Sequence, residues 1–147
     1  MDRQEYISGG EEQLLGTDQD DYLVSSDPEP IEQKVIQFLN EHTNARAYAE
    51  MPETEEIPGD GRLLIVEKTG SSYANHIFTA IIAVQSYGKT LFDASILNEV
   101  VKRAMFQFVL RDDICRVDLN SDYNFTDTEK KQPRYQAVFE IIDDGCG

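Results

Sequence analysis

The sequence predicts an α+β domain, a mainly antiparallel four- to five-stranded sheet with two helices packed on one face. Three observations predict it. Two stretches place apolar residues at helical spacing: Ile31, Val35, Phe38, Leu39 and His42, then Leu97, Val100, Val101, Ala104, Met105 and Phe108. Five shorter stretches are β-branched, alternating or both. Their order is α-β-β-β-α-β-β, and strands that follow one another directly favour antiparallel pairing with the helices on one side.

The first helix is expected from Pro30 to His42, with Asp27 or Glu29 as cap and Pro30 suited to a first-turn position. At this length it is marginal alone, so it must pack on something. Arg46 to Met51 reads as a short strand, because Ala45, Ala47 and Ala49 alternate with larger polar or aromatic residues. Pro52 to Gly61 is a loop: Pro58, Gly59 and Gly61 stand among acids. Arg62 to Thr69 has a β-branched centre, Ile65-Val66, and reads as a strand. Gly70 to Asn75 is expected as a loop into a long strand, His76 to Tyr87, whose two faces are both fairly apolar, as in a central strand. Phe78, Ala80, Ile82 and Val84 share one of those faces, and the two strands form an antiparallel hairpin. Thr90 caps the second helix, with Asp93 as an Asp form of the capping box, and Lys102 and Arg103 suit its C-terminal half. Cys115 to Leu119 is a strand, Asn120 to Gln132 a polar loop, and Arg134 to Ile142 the last strand, with Tyr135, Ala137, Phe139 and Ile141 on one face.

A chain of 147 residues fits one domain with an appendage. Residues 1–28 read as an acidic, disordered arm, residues 29–144 as the folded domain and residues 145–147 as a tail. The net charge of −15 is uneven: residues 1–30 hold nine acids and one base, whereas residues 62–147 hold twelve acids and ten bases. Such an excess repels phosphates, so it argues against nucleic-acid and anionic-membrane partners and fits basic protein partners. The longest apolar run, Ile77 to Val84, is far short of the ~20 residues that span a bilayer. The acidic start carries no signal sequence. Cys115 is expected as a small core residue and Cys146 as part of the tail, in keeping with a reducing cytoplasm.

Reactive constellations are missing from the sequence. His42 and His76 stand apart, and each reads as structural. Neither they nor the cysteines have metal-ligand spacing. Asp18-Gln19-Asp20-Asp21 resembles the start of a calcium loop but has Leu23 where the sixth-position glycine belongs. Gly59-Asp60-Gly61 lacks the lysine of a phosphate loop, and no serine stands in a nucleophile-elbow context. The expectation is therefore no catalytic residue, no cofactor and no metal: an interaction protein rather than an enzyme.

The stretch from Tyr48 to Ile142 carries an ordered set of strings. Tyr-Ala-Glu-Met-Pro (48–52) is followed by Arg-Leu-Leu-Ile-Val-Glu-Lys-Thr-Gly (62–70) and by Phe-Thr-Ala-Ile-Ile-Ala-Val-Gln-Ser-Tyr-Gly (78–88). After a helix come Asp-Tyr-Asn-Phe-Thr-Asp (122–127) and Gln-Pro-Arg-Tyr-Gln-Ala-Val-Phe-Glu-Ile (132–141). In this the chain resembles the tail-terminator, or tail-completion, proteins of siphophages and related prophages. Those share a V-E-(K/R)-T-G-G strand end, an (I/V)-Q-(S/C)-(W/Y) strand before the long helix, and a closing P-R-Y-Q. Two departures stand out: Ser71 replaces the second glycine, and Thr126 stands where proline is frequent.

The resemblance implies a virion structural protein. It would form a ring, usually a hexamer, that caps the tail tube, ends its polymerisation and offers a surface for head–tail joining. Implied partners are further copies of itself, the major tail-tube protein and a head-completion or connector protein. Assembly would occur in the host cytoplasm, with final residence in the tail or neck. A head-to-tail ring needs two different complementary patches. Candidate interface residues are Arg62, Glu67, Lys68, Arg103, Tyr123, Phe125, Lys130, Lys131 and Arg134, with Asp118, Asp122 and Asp127 as further acids; Glu50–Arg62 and Asn120–Gln132 are candidate contact loops. Two alternatives stay open: another neck component, such as a head-closure, connector or minor tail protein, and, from a different class, an acidic inhibitor that mimics DNA.

Overall fold

The structure, a computed structural model, describes residues 29–143. The expected acidic arm, Asp27 as a cap, the calcium-like run and the C-terminal tail lie outside them. Two helices, α1 (Ile31–His42) and α2 (Leu91–Phe108), accompany five strands: β1 (Arg46–Tyr48), β2 (Leu63–Ala74), β3 (Ile77–Tyr87), β4 (Ile114–Asn124) and β5 (Arg134–Asp143). The element order and the mainly antiparallel sheet are as the sequence predicts. The sheet runs β1-β2-β3-β5-β4, and only the β1–β2 edge pair is parallel.

Both helices lie on one face. Val35, Phe38 and Leu39 of α1 and Leu97, Val101, Met105 and Phe108 of α2 join Val66, Ile82, Val84, Ala137, Phe139 and Ile141 of the strands in one core. Burying these side chains stabilises the fold by roughly 1.5–3 kcal/mol each before chain entropy is counted. Phe38 meets Phe108 edge-on, with centroids 5.1 Å apart. α2 starts where the sequence says: the Thr90 hydroxyl accepts from the Asp93 amide at 3.1 Å. α1 has no side-chain cap; Pro30 occupies its N-cap, and Pro30 O accepts from the Gln33 and Lys34 amides.

The bare sheet face is partly covered by the connection from β1 to β2. It returns across the edge and sets Ile57 against a small second cluster of Leu63, Ile65 and Tyr87. This explains why β2 is buried at four successive positions, Leu63 to Val66: alternate residues feed different clusters.

Four expectations need correction. Arg46 to Met51 is strand only as far as Tyr48; Ala49 is exposed, with no core above it. Gly70 to Asn75 is not a connecting loop. β2 continues to Ala74, and a two-residue turn, Asn75 and His76 at φ 54° and 65°, closes the hairpin. Positive φ at both central residues gives the turn a twist that matches the strands, and Asn tolerates it well. Asn120 to Gln132 is loop only from Phe125, because β4 pairs with β5 through Asn124 across from Tyr135. Cys115 is not a core residue; it is half-buried on β4 and disulfide-bonded, so its expected fit to a reducing cytoplasm does not hold.

Candidate interaction surfaces

The sequence strings that stand far apart in the chain meet on the bare sheet face. Gln85 and Tyr87 lie at the end of β3, Arg134 and Gln136 at the start of β5, and Tyr123 near the end of β4. Strand alternation points all five to the same side, and register places Gln85 opposite Gln136 and Tyr87 opposite Arg134. A hydrogen-bonded ladder follows. The Tyr87 hydroxyl donates to Gln85 Oε1 at 3.1 Å, Gln85 Nε2 to Gln136 Oε1 at 3.0 Å, and Gln136 Nε2 to the Tyr123 hydroxyl at 2.6 Å. Arg134 anchors the other end: Nη1 donates to the Tyr87 hydroxyl at 2.9 Å and Nε to Phe125 O at 2.6 Å, with the guanidinium 4.4 Å from the Phe125 ring centroid. Side chains satisfied within such a network hold one geometry: Tyr87 and Gln136 are buried in it, and Gln85, Arg134 and Tyr123 are the members that reach the surface.

At the same end of the sheet is a cleft of about 240 Å³ lined by Met51, Ile57, Leu63, Tyr87, Lys89, Lys131 and Pro133, among others. Lys131 sits at φ 53° in the turn that leads back to β5. Asp127 organises that turn by accepting from the Glu129 and Lys130 amides at 3.0 and 3.1 Å. These bonds, that of Lys130 foremost, hold its carboxyl below the usual value.

The nine candidate residues therefore fall into separate places. Tyr123, Phe125 and Arg134 come together, and Lys130 and Lys131 lie in the adjoining turn. Arg62 is half-buried where the β1–β2 connection enters β2, its amide donating to Asp60 Oδ1 at 3.1 Å. Glu67 and Lys68 lie further along β2, exposed, at a bulge between Lys68 and Gly70. Beyond that bulge the hairpin outruns the sheet: β5 meets β3 only from Thr79 onward. The projecting tip carries Tyr73 and Phe78, 56% and 59% exposed, paired across the strands with centroids 4.4 Å apart. Phe78 shares a strand face with Ala80, Ile82 and Val84 as expected, but among the described residues it stays largely exposed, beside the Tyr73 ring. Arg103 lies exposed on the outer face of α2, apart from the other eight.

Two of the further acids are occupied within the chain. Asp118 pairs with Arg116 at 2.5 Å. Asp122 takes Lys102 at 2.8 Å and Asn98 at 2.9 Å, tying α2 to β4. The histidines are engaged locally: His42 bonds Phe38 O at 2.9 Å and stacks on the Phe38 ring, and His76 Nδ1 meets the Tyr73 hydroxyl at 3.2 Å. Among the described residues no group of three or more His, Cys, Asp or Glu could hold a metal ion, and no helix is long and apolar enough to cross a membrane.

Sequence reasoning missed the roles of Gln85 and Gln136, although polar residues at period-two positions in otherwise apolar strands were the signal. It also missed the outer stripe of α2, where Phe92, Ile96, Phe106 and Leu110 are 71%, 45%, 52% and 78% exposed. Comparison with protein-family models and with curated proteins finds no match to this chain.

Proposed function

We propose that this protein is a phage tail terminator: a virion structural subunit that caps the tail tube as a ring, ends its polymerisation and presents a surface for head–tail joining. One observation carries the reading. Three of the five strings that carry the resemblance, those around Gln85–Tyr87, Tyr123–Phe125 and Arg134–Gln136, join in a single ladder across three strands. They are parts of one surface rather than independent short matches. A rigid, partly buried ladder of amides and phenols, flanked by the mixed-charge turn that carries Asp127, Glu129, Lys130 and Lys131, suits docking to protein. The aromatic hairpin tip adds a second, different surface, and a head-to-tail ring needs two. On this reading the protein performs no catalysis, assembles in the host cytoplasm and resides in the tail or neck.

The test is a polymerisation assay with purified tail-tube protein. Added full-length protein is expected to bind tube ends and shorten the length distribution in a dose-dependent way, and ring-shaped caps should be visible by electron microscopy. Tubes of unchanged length with no bound protein would sink the proposal. Binding to the connector without binding to tubes would move the assignment to another neck component.

A further inference from the structure

The outer face of α2 is a stripe that reads the same in both directions. At 100° per residue, Phe92, Ile96, Glu99, Arg103, Phe106 and Leu110 fall within about 40° of one line along the helix, opposite the buried Val101. Leu110 lies just past the helix end but stays near its path: Val109, the C-cap, keeps right-handed helical φ and ψ, and the Leu110 amide closes a tighter turn onto Gln107 O at 3.0 Å. The positions are symmetric about residue 101. Phe92 mirrors Leu110, Ile96 mirrors Phe106, and Glu99 mirrors Arg103.

We propose that α2 docks antiparallel against α2 of a second copy of this chain, about a two-fold axis passing near Val101. The pattern selects that occupant. In such a pair Phe92 meets Leu110 of the other copy, Ile96 meets Phe106, and Glu99 meets Arg103, each contact occurring twice, as a two-fold interface requires. The charges are complementary in this arrangement: Arg103 has no acid partner within its own chain among the described residues, and Glu99 is shared only with Lys102, at 2.6 Å. Helices packed this way approach to about 8–10 Å, which puts the stripe residues in direct contact.

The area fits as well. Four large side chains, roughly half to three-quarters exposed, present on the order of 400–500 Å² of apolar surface. That is the size of the largest apolar patch on a typical monomer, which is often a functional one. It is also about half of the ~800 Å² per partner in a standard interface; Glu99 and Arg103, at the centre of the stripe between its two apolar ends, and their polar neighbours supply the rest. The inference is independent of the tail-terminator reading, because a two-fold pair closes on itself and leaves the ladder face and hairpin tip free.

The test is sedimentation equilibrium on the full chain. Wild type should show twice the monomer mass of 16.7 kDa. Arg103→Glu and Glu99→Arg each create two like-charge contacts and should each weaken the pair at least ten-fold. Mixing the two variants should restore it, because the chain with Glu at both positions complements the chain with Arg at both. Restoration also proves that both variants are folded. A monomer at every concentration, a self-association that ignores the reversals, or a mixture that stays monomeric would each overturn the proposal. An oligomer indifferent to these residues would leave the ring reading standing, whereas failure of tube capping would leave the α2 pair standing.

Discussion

Lys34 is the one basic residue buried in the described fold, and replacing it with Met should destabilise the domain in a pH-dependent way. Its side chain is 9% exposed, and its ammonium reaches Asp113 at 3.0 Å and Asp143 at 3.3 Å and so ties α1 to the start of β4 and the end of β5. Burial works to lower its pKa, but hydrogen bonds and charge from Asp113 and Asp143 outweigh that, and the net shift is upward. Asp113 is held at about 2, first by the Arg111 hydrogen bond and then by Lys34. Breaking a fully buried pair costs about 3–5 kcal/mol, whereas exposed pairs give about 0–1. Here the acids are 30% and 20% exposed, so water can partly replace Lys34. An intermediate loss of about 2 kcal/mol follows, or roughly 5–10 °C in Tm. Asp113 titrates lower in the folded state than in the unfolded one. Its contribution is therefore complete above the unfolded value near 3.8 and fades as pH falls from there toward 2. Lys34 is shifted the other way, so its contribution is complete below 10.5 and fades only as pH rises through the higher folded value. The gap between wild type and Lys34→Met should thus be flat from about pH 5 to pH 10 and shrink below about pH 4. Urea unfolding followed by circular dichroism, at neutral pH and down to about pH 2.5, measures it. A variant as stable as wild type at neutral pH, or a gap unchanged down to the lowest pH, would refute the reasoning.

Gly88 separates β3 from α2, and a Cβ there would lie 2.8 Å from both the Ala94 amide nitrogen and Asp93 Cβ. Gly88→Ala should cost about 1–3 kcal/mol as the helix start is pushed away. Gly70→Ala, with nothing within 4 Å, should stay within about 0.5 kcal/mol of wild type in the same denaturant melt, and equal effects at the two sites would contradict the packing described. Arg134→Lys keeps the charge but loses the fork that serves Phe125 O and the Tyr87 hydroxyl together. A loss of about 1 kcal/mol is expected, with increased hydrogen exchange at the start of β5; a variant indistinguishable by both measures would deny the ladder its anchor.

The fold was legible because its core obeys two simple periods. Val35, Leu39, Leu97, Val101 and Phe108 recur at helical spacing, while Ala137, Phe139 and Ile141 recur at strand spacing, and all are fully buried. The misreadings come where another factor sets the outcome. Gly70 to Asn75 is rich in glycine and small polar residues and so looks like a loop. Pairing to β3 overrides that composition, because each residue from Gly70 to Ala74 has a partner from Ile81 to Ile77. The same holds for Ser121 to Asn124, mostly polar residues held as an edge strand by β5, with Asn120 at the irregularity just before them. Cys115 alternates with apolar neighbours, yet it falls at the irregularity between Ile114 and Arg116, where alternation no longer assigns a face.

Surfaces are harder to read than cores, and α2 shows why. A single helical stripe announces itself by contrast with a polar opposite side. α2 has apolar residues on both sides, so Phe92, Ile96, Phe106 and Leu110 blur the very period that locates Leu97, Val101, Met105 and Phe108. Helical spacing picks out the Leu97 to Phe108 set as the buried stripe, but it does not disclose that a second apolar stripe runs along the opposite side. Once the sheet takes Val101 and its neighbours, the second stripe is left facing water, an arrangement that costs solubility unless it has a use. The placement of Glu99 and Arg103 in the middle of that stripe gives the use its direction. One acid and one base, equidistant from residue 101, favour an antiparallel partner and oppose a parallel one, where Glu99 would face Glu99 and Arg103 would face Arg103.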